Sequence, residues 1–263
     1  MSLLQVRDAT LRFGGVTALD QVSFDVEEGE VFAVVGPNGA GKSTLFNLIS
    51  RFHDPVVGRI RFDGTSLLER SASAIAGLGI ARTFQNIELF ERTTVLQNLL
   101  VGRHVHRRAS IAAQLLFTPS VRREEIAHRE AVERVIDLLD LQPYRETAIA
   151  GLPHGIRKVV EIGRALAMEP RLILLDESAS GLSFEEVVSL RFWIEDIRSL
   201  LGVTVLMVEH DMGLVSAVSD RVLALADGRV VAVGTPAEVQ SHPQVVEAYL
   251  GLDAPDGRTG TNA

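Results

Sequence analysis

The nine residues Gly36-Pro37-Asn38-Gly39-Ala40-Gly41-Lys42-Ser43-Thr44 constrain this chain more than any other segment. They satisfy G-x-x-x-x-G-K-[ST] in the setting where that pattern has meaning, between an apolar run and a helix-like segment. Upstream, Val31-Phe32-Ala33-Val34-Val35 is continuously apolar, as a strand buried on both faces is. Downstream, Thr44-Leu45-Phe46-Asn47-Leu48-Ile49 is apolar enough for a buried helix. Glycines here let successive backbone N–H groups converge on phosphate oxygens, and the helix N-terminus adds partial positive charge. Lys42 is expected to reach the β- and γ-phosphates of a nucleoside triphosphate, and Ser43 to offer its hydroxyl oxygen to Mg²⁺. The opposing reading is a Gly-rich turn with a surface lysine. Lysine is too scarce to favour it: of 26 basic residues only Lys42 and Lys158 are lysine. A position that keeps an ammonium in such a chain needs a reason arginine would not serve.

Composition narrows the class. With 263 residues, 46% of them hydrophobic and 23% charged, the chain can bury a large core and is not a low-complexity protein. It has no cysteine, which excludes a disulfide framework, a thiolate metal site and a cysteine nucleophile, and fits an intracellular address. The net charge of −8 speaks against a broad basic footprint for nucleic acid. No apolar run approaches the roughly 18 residues that cross a bilayer. The longest charge-free stretch, Ala109 to Val121, contains Pro119, and the N-terminus lacks the pattern of a signal peptide. A soluble chain is expected, dealing with a membrane only through a partner.

The rest of the chain reads as strands, then helices, then strands. Val22-Ser23-Phe24-Asp25-Val26 alternates as a half-buried strand, and Arg59-Ile60-Arg61-Phe62 before Asp63-Gly64 predicts a hairpin. From Arg122 onward, Ile126, Val132, Val135, Ile136 and Leu139 recur at helical spacing. Arg103 to Arg123, with Pro119 and many basic residues, reads as an irregular insertion. Buried strands return at Leu172–Leu175, running into Asp176-Glu177, and at Val203–Val208, running into Glu209-His210. Asp227-Gly228 marks a hairpin within Arg221 to Val233. The organisation expected is an ATPase core in 1–84 and 167–251, a helical subdomain in 85–166 and a disordered tail in 252–263. In the class α/β, this is a P-loop NTPase core with a mixed or parallel sheet, an N-terminal antiparallel β-subdomain and an inserted helical subdomain.

Asp176 and Glu177 close an apolar strand, the place where parallel sheets keep their ligands. Asp176 is suited to hold Mg²⁺ through water, and Glu177 to act as general base toward the attacking water. Gln85, in Arg82-Thr83-Phe84-Gln85, is either a surface amide or a γ-phosphate sensor touching both Mg²⁺ and water. His210 is either structural or positioned to hydrogen-bond the γ-phosphate.

Taken together, these positions resemble the nucleotide-binding subunit of ATP-binding-cassette (ABC) transporters over nearly the whole chain. The phosphate loop matches without substitution; Gln85 matches the Q-loop, Leu174-Leu175-Asp176-Glu177 the Walker B strand and His210 the switch histidine. Phe13, in Phe13-Gly14-Gly15-Val16-Thr17-Ala18, matches the aromatic residue that stacks on adenine, with Val16 beside it in the nucleotide site. Leu152-Pro153-His154-Gly155-Ile156-Arg157 occupies the signature position, usually L-S-G-G-Q. The resemblance implies that this segment, through Pro153 and Gly155, caps the γ-phosphate of a second nucleotide-binding subunit in a head-to-tail dimer holding two ATP. Pro153, His154 and Ile156 depart from the pattern, as do Ser178 and the D-loop residue Ser183. Pro153 offers phosphate neither a hydroxyl nor an N–H, so sites built with this signature are expected to hydrolyse slowly. The proline also occurs in relatives of the subfamily the chain resembles.

That subfamily is the larger ATPase subunit of branched-chain (hydrophobic) amino-acid importers. The likeness rests on Gly79 through Asn86, Thr94 through Leu100, Val208-Glu209-His210-Asp211-Met212 and the ending Gly234-Thr235-Pro236 through Gly251. It implies as partners a second ATPase subunit, identical or related, two integral membrane permease subunits and, indirectly, a periplasmic solute-binding protein. The implied location is cytoplasmic, peripheral on the inner membrane. Phe84, Ile87, Leu89 and Phe90 are either core residues or an apolar groove for a membrane subunit's coupling helix. Lipopolysaccharide-export ATPases share several of these motifs, and a nucleotide-gated scaffold with weak hydrolysis fits the altered signature. A nucleic-acid- or ribosome-directed ATPase would need a second cassette or a long coiled coil, and a small-molecule kinase would not need the helical insertion.

Overall fold

The protein is described here from a computed structural model, which describes residues 2–85, 87–107 and 118–250. The tail expected to be disordered, and residues 108–117 of the expected irregular insertion, lie outside the described residues.

Two sheets organise the chain. The four-stranded one is antiparallel, in the order β2-β1-β4-β5, from β1 (Ser2–Phe13), β2 (Val16–Glu27), β4 (Val57–Phe62) and β5 (Thr65–Ser66). The six-stranded one runs β10-β9-β3-β8-β7-β6, from β3 (Val31–Val35), β6 (Ile80–Arg82), β7 (Leu172–Asp176), β8 (Thr204–Val208), β9 (Arg221–Ala226) and β10 (Arg229–Gly234). Within it only β10 is antiparallel to its neighbour. This is the α/β class the sequence implies.

The continuous apolar strands follow from where their side chains go. In β3, Val31, Ala33 and Val35 enter one core while Phe32 and Val34 enter another. β7 and β8 divide in the same way, Ile173 and Met207 on one side, Leu174 and Leu206 on the other. The second core lies between the two sheets and takes in α1 (Lys42–Ile49), with Leu45, Phe46, Leu48 and Ile49 fully buried. The first packs helices on the opposite face: α3 (Val95–Gly102), α4 (Pro119–Leu138), α5 (His154–Leu166) and α6 (Phe184–Ser199). The short helix α2 (Ala72–Gly77) precedes β6, and α7 (Met212–Val218), α8 (Pro236–Ser241) and α9 (Pro243–Leu250) complete the chain.

Both predicted hairpins form. Asp63 and Gly64 have φ of 47° and 73°, Asp227 and Gly228 of 49° and 74°, the positive pairs a two-residue turn of this type demands. Other expectations need correction. Two strands of the first third run well beyond the segments marked from sequence: β1 and β2 have 12 residues each. β1 escaped the alternation test because it bulges at Asp8 (φ 50°), where the register to β2 shifts, so that Val6 and Ala9 both face the core. Pro119 does not break structure; it opens α4 at the first helical position, where a missing N–H costs nothing. Arg103–His106 forms a 3₁₀ turn, with Arg103 buried against His128 of α4. Ile126 is 48% exposed, and the buried stripe of that helix is instead Val121, His128, Val132, Val135 and Ile136.

Phe46 is the largest buried side chain of α1, and the Arg82 guanidinium lies 5.5 Å from its ring centroid. Phe46→Ala should lower the unfolding free energy by about 3–5 kcal/mol in urea titrations, because its pocket between the sheets cannot collapse.

Candidate active site

Parallel strands bring their carboxyl ends to one edge, and the polar residues of interest leave the sheet there. Gly36 follows β3 with φ 152°, and a Cβ on it would stand 2.1 Å from the Leu225 carbonyl oxygen of β9. Only glycine lets the chain turn this close to its neighbour. Gly41 caps α1, and Lys42 folds back so that Nζ donates to the Gly36 carbonyl at 2.7 Å and the Pro37 carbonyl at 3.0 Å. Burial lowers the Lys42 pKa, while the nearby Glu177 and Asp176 act in the other direction. Ala40 lies buried beneath the loop; its carbonyl accepts the Gly228 N–H at 3.1 Å, tying the loop to the β9–β10 turn.

Above the loop opens a cleft of about 570 Å³. Val16, Asn38, Gly39, Gly41, Lys42, Ser43 and Thr44 line it, together with Gln85 and Glu177 from the ends of β6 and β7. Glu177 stands at φ 50°, a backbone conformation that costs a side-chain-bearing residue roughly 1–2 kcal/mol. Its carboxylate is held at both oxygens: Gln85 Nε2 donates to Oε2 at 2.8 Å, and His210 Nε2 lies 2.8 Å from Oε1. Of the residues marked from sequence, Lys42, Gln85, Asp176, Glu177 and His210 are therefore gathered at one place.

Asp176 sits below the cleft, 4% exposed. Its Oδ2 accepts from Arg82 Nη2 at 2.7 Å, and Oδ1 is buried without a hydrogen-bond partner among the described residues. Arg82 is itself packed against the rings of Phe46, Phe52 and Phe84 and donates to Asn47 Oδ1 at 2.8 Å. An uncommitted carboxylate oxygen on Asp176 and the exposed hydroxyl of Ser43 are oxygen donors of the kind a hard cation such as Mg²⁺ takes.

Three sequence-marked residues stand apart from the cleft. Phe13 ends β1 half-exposed, its ring edge-on to His53 with centroids 5.0 Å apart; Val16, across the turn, is the one that lines the cleft. Pro153 occupies the N-cap of α5, and Gly155 lines a separate cleft of about 410 Å³ with Ile156, Ser183 and Trp193. Ser183 caps α6 in a reciprocal box with Glu186, whose carboxylate fills the space a Gly155 side chain would need.

Sequence reasoning did not assign Arg82, Glu209 or Lys158 to this place. Glu209, 3% exposed, accepts the Ala179 N–H at 3.0 Å. Lys158 Nζ donates to the Glu177 carbonyl at 2.8 Å, so both lysines of the chain meet at this centre. Lysine scarcity was the one available signal, and it gave no location.

A glycine-rich loop between a buried parallel strand and a helix, faced by a strand-end acid pair and a histidine, defines a nucleotide-binding P-loop ATPase. The chain belongs to the ABC transporter family, whose domain matches residues 19–180, and the domain described as branched-chain amino acid ATP-binding cassette transporter matches residues 229–254. It is 39% identical to the high-affinity branched-chain amino acid transport ATP-binding protein BraF of Pseudomonas aeruginosa, over 95% of this chain and 98% of that protein. The corresponding Escherichia coli protein, LivG, is 36% identical, with 95% and 98% covered. The ADP conformation of MJ1267, an ATP-binding cassette of an ABC transporter, superposes with a TM-score of 0.83 at 31% identity, over 95% of this chain and 99% of that one.

Burial pushes the Glu209 carboxyl up to about 7, against hydrogen bonds from the Ala179 and Ser178 N–H groups and the charge of Lys158. Between the ordinary glutamate value and about 7 the folded chain holds a proton that the unfolded chain has released, so stability falls as pH rises through that window. Glu209→Gln should therefore gain stability relative to the parent between about pH 5 and about pH 8, on the order of 3 kcal/mol, measured as the difference in urea unfolding free energy.

Proposed function

We propose that this chain is the ATP-hydrolysing subunit that energises a membrane importer of branched-chain or other hydrophobic amino acids. The observation that carries the reading is the Glu177 carboxylate, held between Gln85 and His210 at the mouth of the phosphate loop. The β- and γ-phosphates rest on the backbone N–H groups of residues 38–44, and Lys42 exchanges its loop carbonyls for phosphate oxygens. Glu177 takes a proton from a water whose oxygen bonds the γ-phosphorus as the bond to the β–γ bridging oxygen breaks, leaving ADP and phosphate. His210 orients that water and the γ-phosphate. Ser43, Gln85 and, through water, Asp176 would hold Mg²⁺, which would supply charge neutralisation to the phosphates. Val16 and Phe13 receive the base, Phe13 after its ring leaves His53.

The partner assignments belong to the same proposal. Gly155 lines a different cleft from Lys42, which supports the reading that one chain's signature segment serves another subunit's nucleotide. Two ATP-Mg close the pair, through their greater affinity for the closed state, and loss of phosphate reopens it. Residues 1–84 and 167–251 form the ATPase core, and 85–166 the helical part that meets two membrane permeases fed by a periplasmic solute-binding protein. None of the described helices is long and apolar enough to cross a membrane; the place proposed, peripheral on the cytoplasmic face, follows from the role as an importer's ATPase subunit. Nucleic acid has no part in this reading. Leu89 packs against the helical core while Phe90 is 56% exposed beside it, so Phe90 is the better candidate for contact with a coupling helix.

Glu177→Gln should lower kcat by about 10²–10⁴-fold in steady-state phosphate release while calorimetric MgATP affinity stays close to the parent's; undiminished turnover would remove the base assignment. Phe90→Asp should abolish co-purification with the permeases and leave the melting profile of the lone subunit unchanged.

A further inference from the structure

Lys158 is one of two lysines in the chain, and the chemistry above does not use it. It lies in the first half of α5, 7% exposed, the helix whose N-terminus carries Pro153 and Gly155. Its ammonium donates to the Glu177 main-chain carbonyl at 2.8 Å. The same carbonyl accepts the Ser180 N–H at 3.1 Å, while the Glu177 N–H donates to the Val208 carbonyl at 2.9 Å. The residue that carries the carboxylate is thus fixed at both its backbone polar groups, by α5, by the turn that follows it and by β8, in a left-handed conformation it would not otherwise favour.

The surroundings explain why this position keeps a lysine. Glu209 and Glu161 are both buried near the ammonium, and backbone N–H groups of Ala179 and Phe84 already occupy an oxygen of each. Lys158 meets one carbonyl oxygen within the field of these two carboxylates, which suits a compact ammonium.

We infer that Lys158 is a positioning residue for Glu177, tying the backbone of the catalytic acid to the helix that begins with the signature segment. The inference rests on the reading of Glu177 as the general base. Removing the tie frees a strained peptide to relax, and the carboxylate leaves the line of attack without any change in the groups that bind nucleotide. The loss therefore falls on kcat and spares affinity.

The test uses the full chain. Lys158→Met should reduce kcat for ATP hydrolysis by about 10²-fold, the loss that an ångström-scale misplacement brings, with KM and calorimetric MgATP affinity within about twofold of the parent. A kcat within about twofold of the parent, or a loss confined to KM and affinity, overturns it. Should thermal melting show that Lys158→Met does not fold, Lys158→Gln replaces it, since its shorter amide stops short of the carbonyl; the same split between kcat and affinity is expected, and the same outcomes overturn it. Glu177→Gln run in parallel separates the two claims. If that variant hydrolyses ATP at the parent rate, the base assignment fails and the inference fails with it. If it is inert while Lys158→Met turns over normally, only the positioning role is lost.

Discussion

Burial on both faces of β3, β7 and β8 is the constraint from which the rest of the molecule follows. A strand that feeds one core with its odd residues and another with its even ones has no place for a polar side chain along its length. Polar groups are confined to its ends, and in a parallel arrangement the carboxyl ends lie side by side. Gly36, Asp176, Glu177 and His210 come within reach of one another for this reason, although as many as 174 positions separate Gly36 from His210 in the numbering. The antiparallel sheet and the helices act as covers that keep both faces dry.

What those ends assemble is an electrostatic arrangement of unusual density for a chain of net charge −8. Asp176, Glu177, Glu161 and Glu209 are set among Lys42, Lys158 and Arg82, most of them removed from water. Breaking a buried pair strands a charge and is expensive, whereas the intact pair adds little net stability. The Arg82–Asp176 bond is therefore better read as fixing where Asp176 points than as holding the fold together. Three aromatic rings around the guanidinium restrict it further, and the other Asp176 oxygen has no hydrogen-bond partner among the described residues.

Much of this was legible before any coordinates. The phosphate loop, the acid pair at the end of an apolar run and the two hairpin turns are local patterns with a local cause. β1 was not legible, because a bulge at Asp8 destroys the alternation by which strands are recognised. Pro119 misled because the same residue that breaks a helix interior begins a helix well. Arg82, Lys158 and Glu209 acquire their meaning from partners 94, 19 and 30 positions away, and nothing in the neighbouring sequence announces such pairings. The separation of Gly155 from the phosphate loop has no signal in the sequence itself, and only the resemblance suggests a reason for it.

The loop's internal hydrogen bonds bear on selectivity. Lys42 already satisfies two carbonyls of its own loop, so an incoming molecule gains from this lysine only if it brings oxygens that outcompete them. A nucleoside brings none, and nothing would displace the side chain; a chain of phosphates brings several, each charged. The resting loop thereby sets a threshold that discriminates by the anionic end of the molecule before its aromatic end is tested. That order suits a chain in which Phe13, the residue proposed to receive the base, is exposed and engaged with another ring.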